Sequence, residues 1–346
     1  MFTDRRAGSL ASRRVRQPWP RGKVFKILSL DGGGIKGIYS AQFLSRCEQE
    51  LAAGKPLASY FDMIAGTSTG GIIALGLALG FSTSDILDFY VNDGRKIFPP
   101  LPTDRIGRWW RGFRWLFRPH LDHGELEKAL KLRFGDHSLG EATTRVVIPA
   151  FMVPKTEIAV FKTDHHSDFR NDYKTRAWEV ARATSAAPTY LKGHEHSPSG
   201  RIFIDGGVWA NNPVMVALVD VLSAYEISPD QIDILSVGTG NPPFELRPKA
   251  ALGGAVSWRA AIKAAMFLTT DNATAQTKLL LGPDKCFRIE PLGEDGTVEM
   301  DDYDRALSVL PGSADRDFDI FKDEIARFFD ESVLPRERHY TDVGSV

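Results

Sequence analysis

The stretch that decides the fold is Phe61-Asp62-Met63-Ile64-Ala65-Gly66-Thr67-Ser68-Thr69-Gly70-Gly71-Ile72-Ile73-Ala74. An apolar run over 61–65, short enough for a strand, breaks into Gly66-Thr67-Ser68-Thr69-Gly70, of the form G-x-S-x-G. It resumes over 71–80 as a small-residue apolar pattern that reads as a buried helix. In such a strand–turn–helix, the tight turn lifts the serine hydroxyl above the sheet edge and small neighbours keep the backbone clear of a substrate. The helix start favours developing negative charge. Ser68 is the candidate nucleophile. An ordinary Gly/Ser turn has the same residues, so the assignment depends on partners elsewhere.

Upstream, the same plan occurs at 25–30, an apolar strand ending in Asp31-Gly32-Gly33-Gly34-Ile35-Lys36-Gly37. Ile38, Phe43, Leu44 and Leu51 then fall on one side of a helix. This glycine turn has two readings. Gly32-x-Gly34-x-x-Gly37 fits a dinucleotide turn, with Glu48 or Glu50 as the acidic ribose ligand. Alternatively, the amides of Gly32, Gly33, Gly34 and Ile35 form an oxyanion hole, and one mechanism explains both turns. Lys36 either anchors the loop, contacts an anionic head group, or is merely solvated.

Further strands are expected at 145–148, 158–161, 201–204, 232–237 and 286–289, with helices near 174–187, 213–225, 256–270 and 318–329. Alternating strands and helices predict an α/β fold with helices on both sheet faces. Residues 1–22, rich in Arg, Ser, Gly and Pro, read as a flexible basic arm, and 23–346 as a single domain with a C-terminal extension. With 43% hydrophobic and 25% charged residues the chain is globular. A net charge of −1 and the lack of a recognisable binding fold argue against a nucleic-acid polymer as partner. Two cysteines, Cys47 and Cys286, exclude a disulfide scaffold or a four-thiolate zinc site, and suit a reducing cytoplasm. The basic N-terminus lacks the apolar stretch of a signal peptide, and 72–81 is too short to span a bilayer.

A third strand, 201–204, delivers Asp205 into Asp205-Gly206-Gly207. Asp205 can take the Ser68 proton directly if folding joins them, although Asp-Gly is also a common turn. The glycine turn, the G-x-S-x-G turn, Ala183-Thr184-Ser185-Ala186-Ala187-Pro188 and Asp205-Gly206-Gly207 occur in an order that resembles the patatin-like phospholipase family, over roughly residues 24–240. The resemblance implies a three-layer α/β fold with a mostly parallel central sheet. It also implies a Ser–Asp dyad: Ser68 as nucleophile, Asp205 as general base, the glycine turn as oxyanion hole, and phospholipid acyl esters as substrate through an acyl-enzyme. No metal or organic cofactor is required. Lys36 stands where many relatives carry Arg. The family includes bacterial effectors switched on by cyclic nucleotides in antiphage signalling, so a cyclic-nucleotide activator is an implied partner whose site no motif places. Oligomeric state, a homo-oligomer included, stays open.

Other constellations compete. His165, His166, His194, His196 and His339 offer a histidine for a triad, and His165, His166, Asp164 and Asp168 a zinc site, but residue spacing does not make them converge. Over 105–118, Ile106, Trp109, Trp110, Phe113, Leu116 and Phe117 gather on one helical face and five arginines on the other, with Trp115 on the polar side. That pattern suits a membrane contact or a lid, peripheral at the inner face of the cell membrane, and equally a packed amphipathic helix. Gly107 and Gly112 weaken the helix itself. The rival functions are a soluble-ester hydrolase and a non-enzymatic nucleotide-binding scaffold built on 32–37.

Overall fold

The structure, a computed structural model, describes residues 14–99, 121–154, 157–196, 200–240 and 255–340. Its ten described strands are β1 (Gln17–Pro18), β2 (Phe25–Leu30), β3 (Met63–Gly66), β4 (Arg145–Val153), β5 (Glu157–Lys162), β6 (His194–His196), β7 (Arg201–Asp205), β8 (Tyr225–Glu226), β9 (Ile232–Val237) and β10 (Cys286–Ile289). Eight of them form one sheet in the order β10-β9-β2-β3-β4-β7-β6, with β5 also on β4. The first five run parallel; β5, β6 and β7 are antiparallel to their neighbours. The expected mostly parallel α/β sheet is present.

Its parallel strands are largely apolar because both of their faces are covered. Alternation sorts the side chains: Leu28, Leu30, Ile64, Val146, Ile148 and Leu235 enter one core layer, whereas Phe25, Ile27, Met63, Val147, Ile232 and Ile234 enter the other. Helices Gly37–Leu51, Thr69–Ala78, Ala177–Thr184 and Tyr303–Ala326 cover the first face. Val214–Ala224 and Ala255–Leu281 cover the second. The result is three layers.

The register brings two distant chain segments together. Val147 pairs with both Ala65 and Lys162, and Ala150 with both Ala159 and Asp205. Since β5 holds one edge of β4 throughout, β3 and β7 share the other edge in succession. They approach from opposite directions, so the turn after Gly66 and the end of β7 at Asp205 meet near Pro149 of β4.

Two expectations are corrected. The basic arm was expected to reach residue 22, but from Arg14 the chain already lies on the domain. Gln17 pairs with Tyr225 in a short β1–β8 ladder, and Trp19 packs against Phe25 and Tyr225 with ring centroids at 4.7 and 5.6 Å. The last helix begins at Tyr303, well before 318, and carries Pro311 inside it. Tertiary contact overrides that proline: Phe318 meets Phe43, and Arg46 bridges Asp315 and Asp319.

Candidate active site

Ser68 sits at φ 55° and ψ −121°, a conformation rare for a residue with a side chain, which stores roughly 1–3 kcal/mol of strain. Packing around the turn holds it there. A Cβ at Gly66 would lie 2.1 Å from the Gly70 carbonyl oxygen, and one at Gly70 would lie 2.2 Å from that of Leu30. The two glycines of G-x-S-x-G therefore let the turn fold onto itself and onto β2. Thr67 donates its amide to Leu30 O at 3.1 Å and its hydroxyl to Ala210 O at 2.7 Å. The Ser68 amide donates to Thr184 Oγ1 at 3.0 Å, and that hydroxyl donates in turn to Pro149 O at 2.6 Å.

Asp205 ends β7, its amide held by Ala186 O at 3.0 Å and its Oδ1 accepting the Gly207 amide at 2.6 Å. Its carboxylate lies close enough to the Ser68 side chain for that hydroxyl to lower its pKa. Burial drives the Asp205 pKa up to about 6, against the lowering effect of the Ser68 and Gly207 hydrogen bonds. Desolvation wins because no cation neutralises the carboxylate among the described residues. A base near 6 is better matched to a serine proton than an ordinary carboxylate, yet still ionised at neutral pH.

The glycine turn is fixed to the rest of the site at its start. Arg288 grips Asp31 with both terminal nitrogens, at 3.0 and 2.7 Å. The Gly32 amide donates to Asn211 O and the Ile35 amide to Met300 O, each at 3.0 Å. Of the four amides expected to serve an oxyanion, those two are engaged within the protein. The Gly33 and Gly34 amides meet no acceptor among the described residues, and Gly34 lines the same pocket as Ser68. Lys36 is buried, its ammonium donating to Gly240 O at 2.7 Å, which is the anchoring role. The sides of Gly33, Gly34 and Gly37 that a Cβ would occupy are taken by Thr239, the Met300 carbonyl and Thr69. Glu48 is likewise occupied, accepting from the Leu57 and Thr83 amides, and Glu50 from Arg46 and Lys322.

From Ser68 and Gly34 a narrow apolar pocket, partly open to solvent, runs between Ile72, Phe89, Tyr90, Ile97 and Leu191. Phe98 and Leu121, which flank the 105–118 segment in the chain, also line it. That segment, with Trp109, Trp110, Phe113 and Phe117, lies outside the described residues.

The competing histidines are engaged elsewhere. His165 bonds Thr163 Oγ1 and Asp220, both at 2.8 Å, while His166 meets Val15 O at 3.0 Å. His194 packs its ring edge on Trp178, His196 lies 3.7 Å from Glu179, and His339 meets Gln17. The Asp164 carboxylate is taken by Arg336 and the Tyr340 amide. Of the zinc alternative, His166 and Asp168 meet at 3.6 Å, but His165 and Asp164 are taken by other partners. Sequence reading gave no role to Thr184, Asn211 or Arg288. Thr184 lay inside the quoted 183–188 block and could have been found there; the other two bond across the fold and leave no local signal.

A family profile described as Patatin-like phospholipase matches residues 28–218, more than half of the chain. A cGAMP-activated phospholipase of Escherichia coli is 34% identical over 235 residues, covering 64% of this chain and 64% of that protein. One from Vibrio cholerae is 33% identical over 243 residues, covering 66% and 68%. Patatin-like protein 2 of Arabidopsis thaliana is 33% identical over 292 residues, covering 75% and 69%. The match spans slightly under two thirds of the Escherichia coli protein's own length. The profile takes in the glycine turn, the serine elbow and Asp205 together: the chain belongs to the patatin-like phospholipase family.

Proposed function

We propose that this enzyme hydrolyses phospholipid acyl esters through a Ser68–Asp205 dyad. The observation that carries the reading is a buried Asp205 of raised proton affinity acting on the side chain of Ser68, which lines one end of an apolar pocket. Asp205 takes the hydroxyl proton as Ser68 Oγ attacks the acyl carbonyl. The Gly33 and Gly34 amides donate to the oxyanion, stabilisation that can contribute about 3 kcal/mol per donor. Collapse breaks the ester C–O bond, and the proton held by Asp205 passes to the leaving alcohol. Water then gives Asp205 a proton as its oxygen attacks the acyl-enzyme, releasing the fatty acid and restoring Ser68. The apolar pocket suits an acyl chain.

The similarity to two cGAMP-activated phospholipases supports control by a cyclic nucleotide in antiphage defence. The enzyme works from the cytoplasm at the inner membrane face. Its two buried free thiols suit a reducing compartment, and no helix of the described residues is long and apolar enough to cross a membrane.

Fatty-acid release from mixed phospholipid liposomes is the test, comparing wild type with folded Ser68→Ala, with and without a cyclic-nucleotide panel that includes cGAMP. Ser68-dependent release that rises with one nucleotide is expected. Release from dispersed short esters but not from liposomes would replace the lipid substrate with a soluble one. No release from either, with every nucleotide, would sink the hydrolase reading.

A further inference from the structure

The acyl pocket is apolar apart from a few groups, and one of them does nothing within the protein. Ser185 is 6% exposed and lines the pocket with Ser68, yet its hydroxyl oxygen is buried without a hydrogen-bond partner among the described residues. A buried hydroxyl in that state is costly, on a scale comparable to a lost hydrogen bond. Its main chain is well used: the amide donates to Ala181 O and the carbonyl accepts from Ala187. The side chain alone is left over.

Its position in the chain says which side of the reaction it faces. The preceding residue, Thr184, accepts the Ser68 amide, and the carbonyl of the following residue, Ala186, accepts the Asp205 amide. Ser185 therefore lies between the anchors of nucleophile and base. The oxyanion amides belong to a different element, the 32–34 turn. In ester cleavage, the proton leaving Asp205 must reach the departing alcohol oxygen, so that oxygen sits on the base side of Ser68, away from the glycine turn.

We propose that Ser185 is a catalytic residue whose hydroxyl donates a hydrogen bond to the leaving-group oxygen of the scissile ester. This rests on the dyad reading above. As the C–O bond breaks, negative charge grows on that oxygen. The Ser185 O–H stabilises it and turns a lone pair towards the proton on Asp205. The proton that completes the alcohol is the one first taken from Ser68, so Ser185 loses and gains none.

The test exchanges the leaving atom. Wild type, Ser185→Ala and Ser185→Thr are assayed on a phospholipid oxygen ester and on the matched thioester, whose sulfur is a weak acceptor. Ser185→Ala is expected to lower kcat/KM for the oxygen ester roughly tenfold and for the thioester less than about twofold, with Ser185→Thr restoring most of the loss. Thermal melting confirms that each variant folds. An equal loss on both substrates, or no loss on either, overturns the leaving-group contact. Should wild type turn over neither substrate, the dyad reading falls and this inference falls with it.

Discussion

Two buried acid–hydroxyl groupings sit on opposite faces of the sheet, and the one that looks more like a catalytic triad is not the one proposed for the dyad. On the second face, Thr163, His165 and Asp220 line up through hydrogen bonds of 2.8 Å, all buried. On the first, Ser68 meets Asp205 with no histidine between them. The difference is charge compensation. Burial pushes both carboxylates up, but Lys162 and His165 outweigh it at Asp220 and hold that group well below its ordinary range. Asp205 has no such cation and rises to about 6. Asp220 is a satisfied structural anion. Asp205 keeps an appetite for a proton and sits beside Ser68, which lines the pocket. At these two sites, compensation separates a carboxylate held ionised from one of raised proton affinity.

The largest way to break this comparison is to neutralise each acid in turn. Asp205→Asn and Ser68→Ala are expected to lower ester turnover at least about 10³-fold. Asp220→Asn is expected to change the turnover of folded protein by less than about threefold, because His165 and Asp220 reach neither Ser68 nor its pocket. A short soluble ester assayed on variants of matched circular dichroism gives the comparison. Strong loss in Asp220→Asn with the fold intact would revive the histidine triad.

Stability should move in opposite directions. A raised carboxylate pKa contributes stability below pH 3.8 that is lost as pH rises through about 6, so ionised Asp205 strains the fold at pH 8. The lift from 3.8 to about 6 corresponds to about 3 kcal/mol, an upper bound on what Asp205→Asn returns. For Asp220 the sign reverses: its lowered pKa contributes stability above 3.8, lost only as pH falls towards the depressed value. Asp220→Asn leaves Lys162 beside a neutral partner and should cost on the order of 3 kcal/mol. Urea midpoints at pH 8 should thus rise for Asp205→Asn and fall for Asp220→Asn. Two shifts of the same sign would mean that the two sites do not differ in compensation.

The sequence disclosed much of this arrangement, but not its balance of forces. Strands β2, β3 and β9 were readable because each apolar run ends in a glycine turn ahead of a helical period, whereas β4 runs on into β5. Ser68 and Asp205 were found because their turns are local patterns in a recognisable order. What joins them was not readable: the antiparallel seating of β7 beside the end of β3 depends on pairing between 150–153 and 202–205. Arg288 grips Asp31 from 257 residues away, and the Asn211 carbonyl holds Gly32 without any side-chain signature. The neighbours that take the Cβ sides of Gly33 and Gly34 are likewise brought in by the fold. Nor could a sequence decide whether burial or hydrogen bonding governs Asp205.

The smallest effect, and the most direct reading of that last balance, is the pH profile. Asp205 must be ionised to accept the Ser68 proton, so kcat/KM should be flat above about pH 6 and fall below it. One pH unit beneath that midpoint, activity should be down about tenfold while the protein stays folded. His165, lowered to about 4 chiefly by burial, and Asp220, held lower still, titrate outside this window, whereas Asp31, also raised to about 6 by burial, titrates within it, so the Asp205→Asn comparison makes the assignment. The midpoint itself discriminates. A value near 4 would mean that the Ser68 and Gly207 hydrogen bonds cancel the cost of burial, making Asp205 electrostatically ordinary. A midpoint near 6 that disappears in Asp205→Asn residual activity, but persists in Asp220→Asn, would attach the proton to one of the two buried acids and not the other.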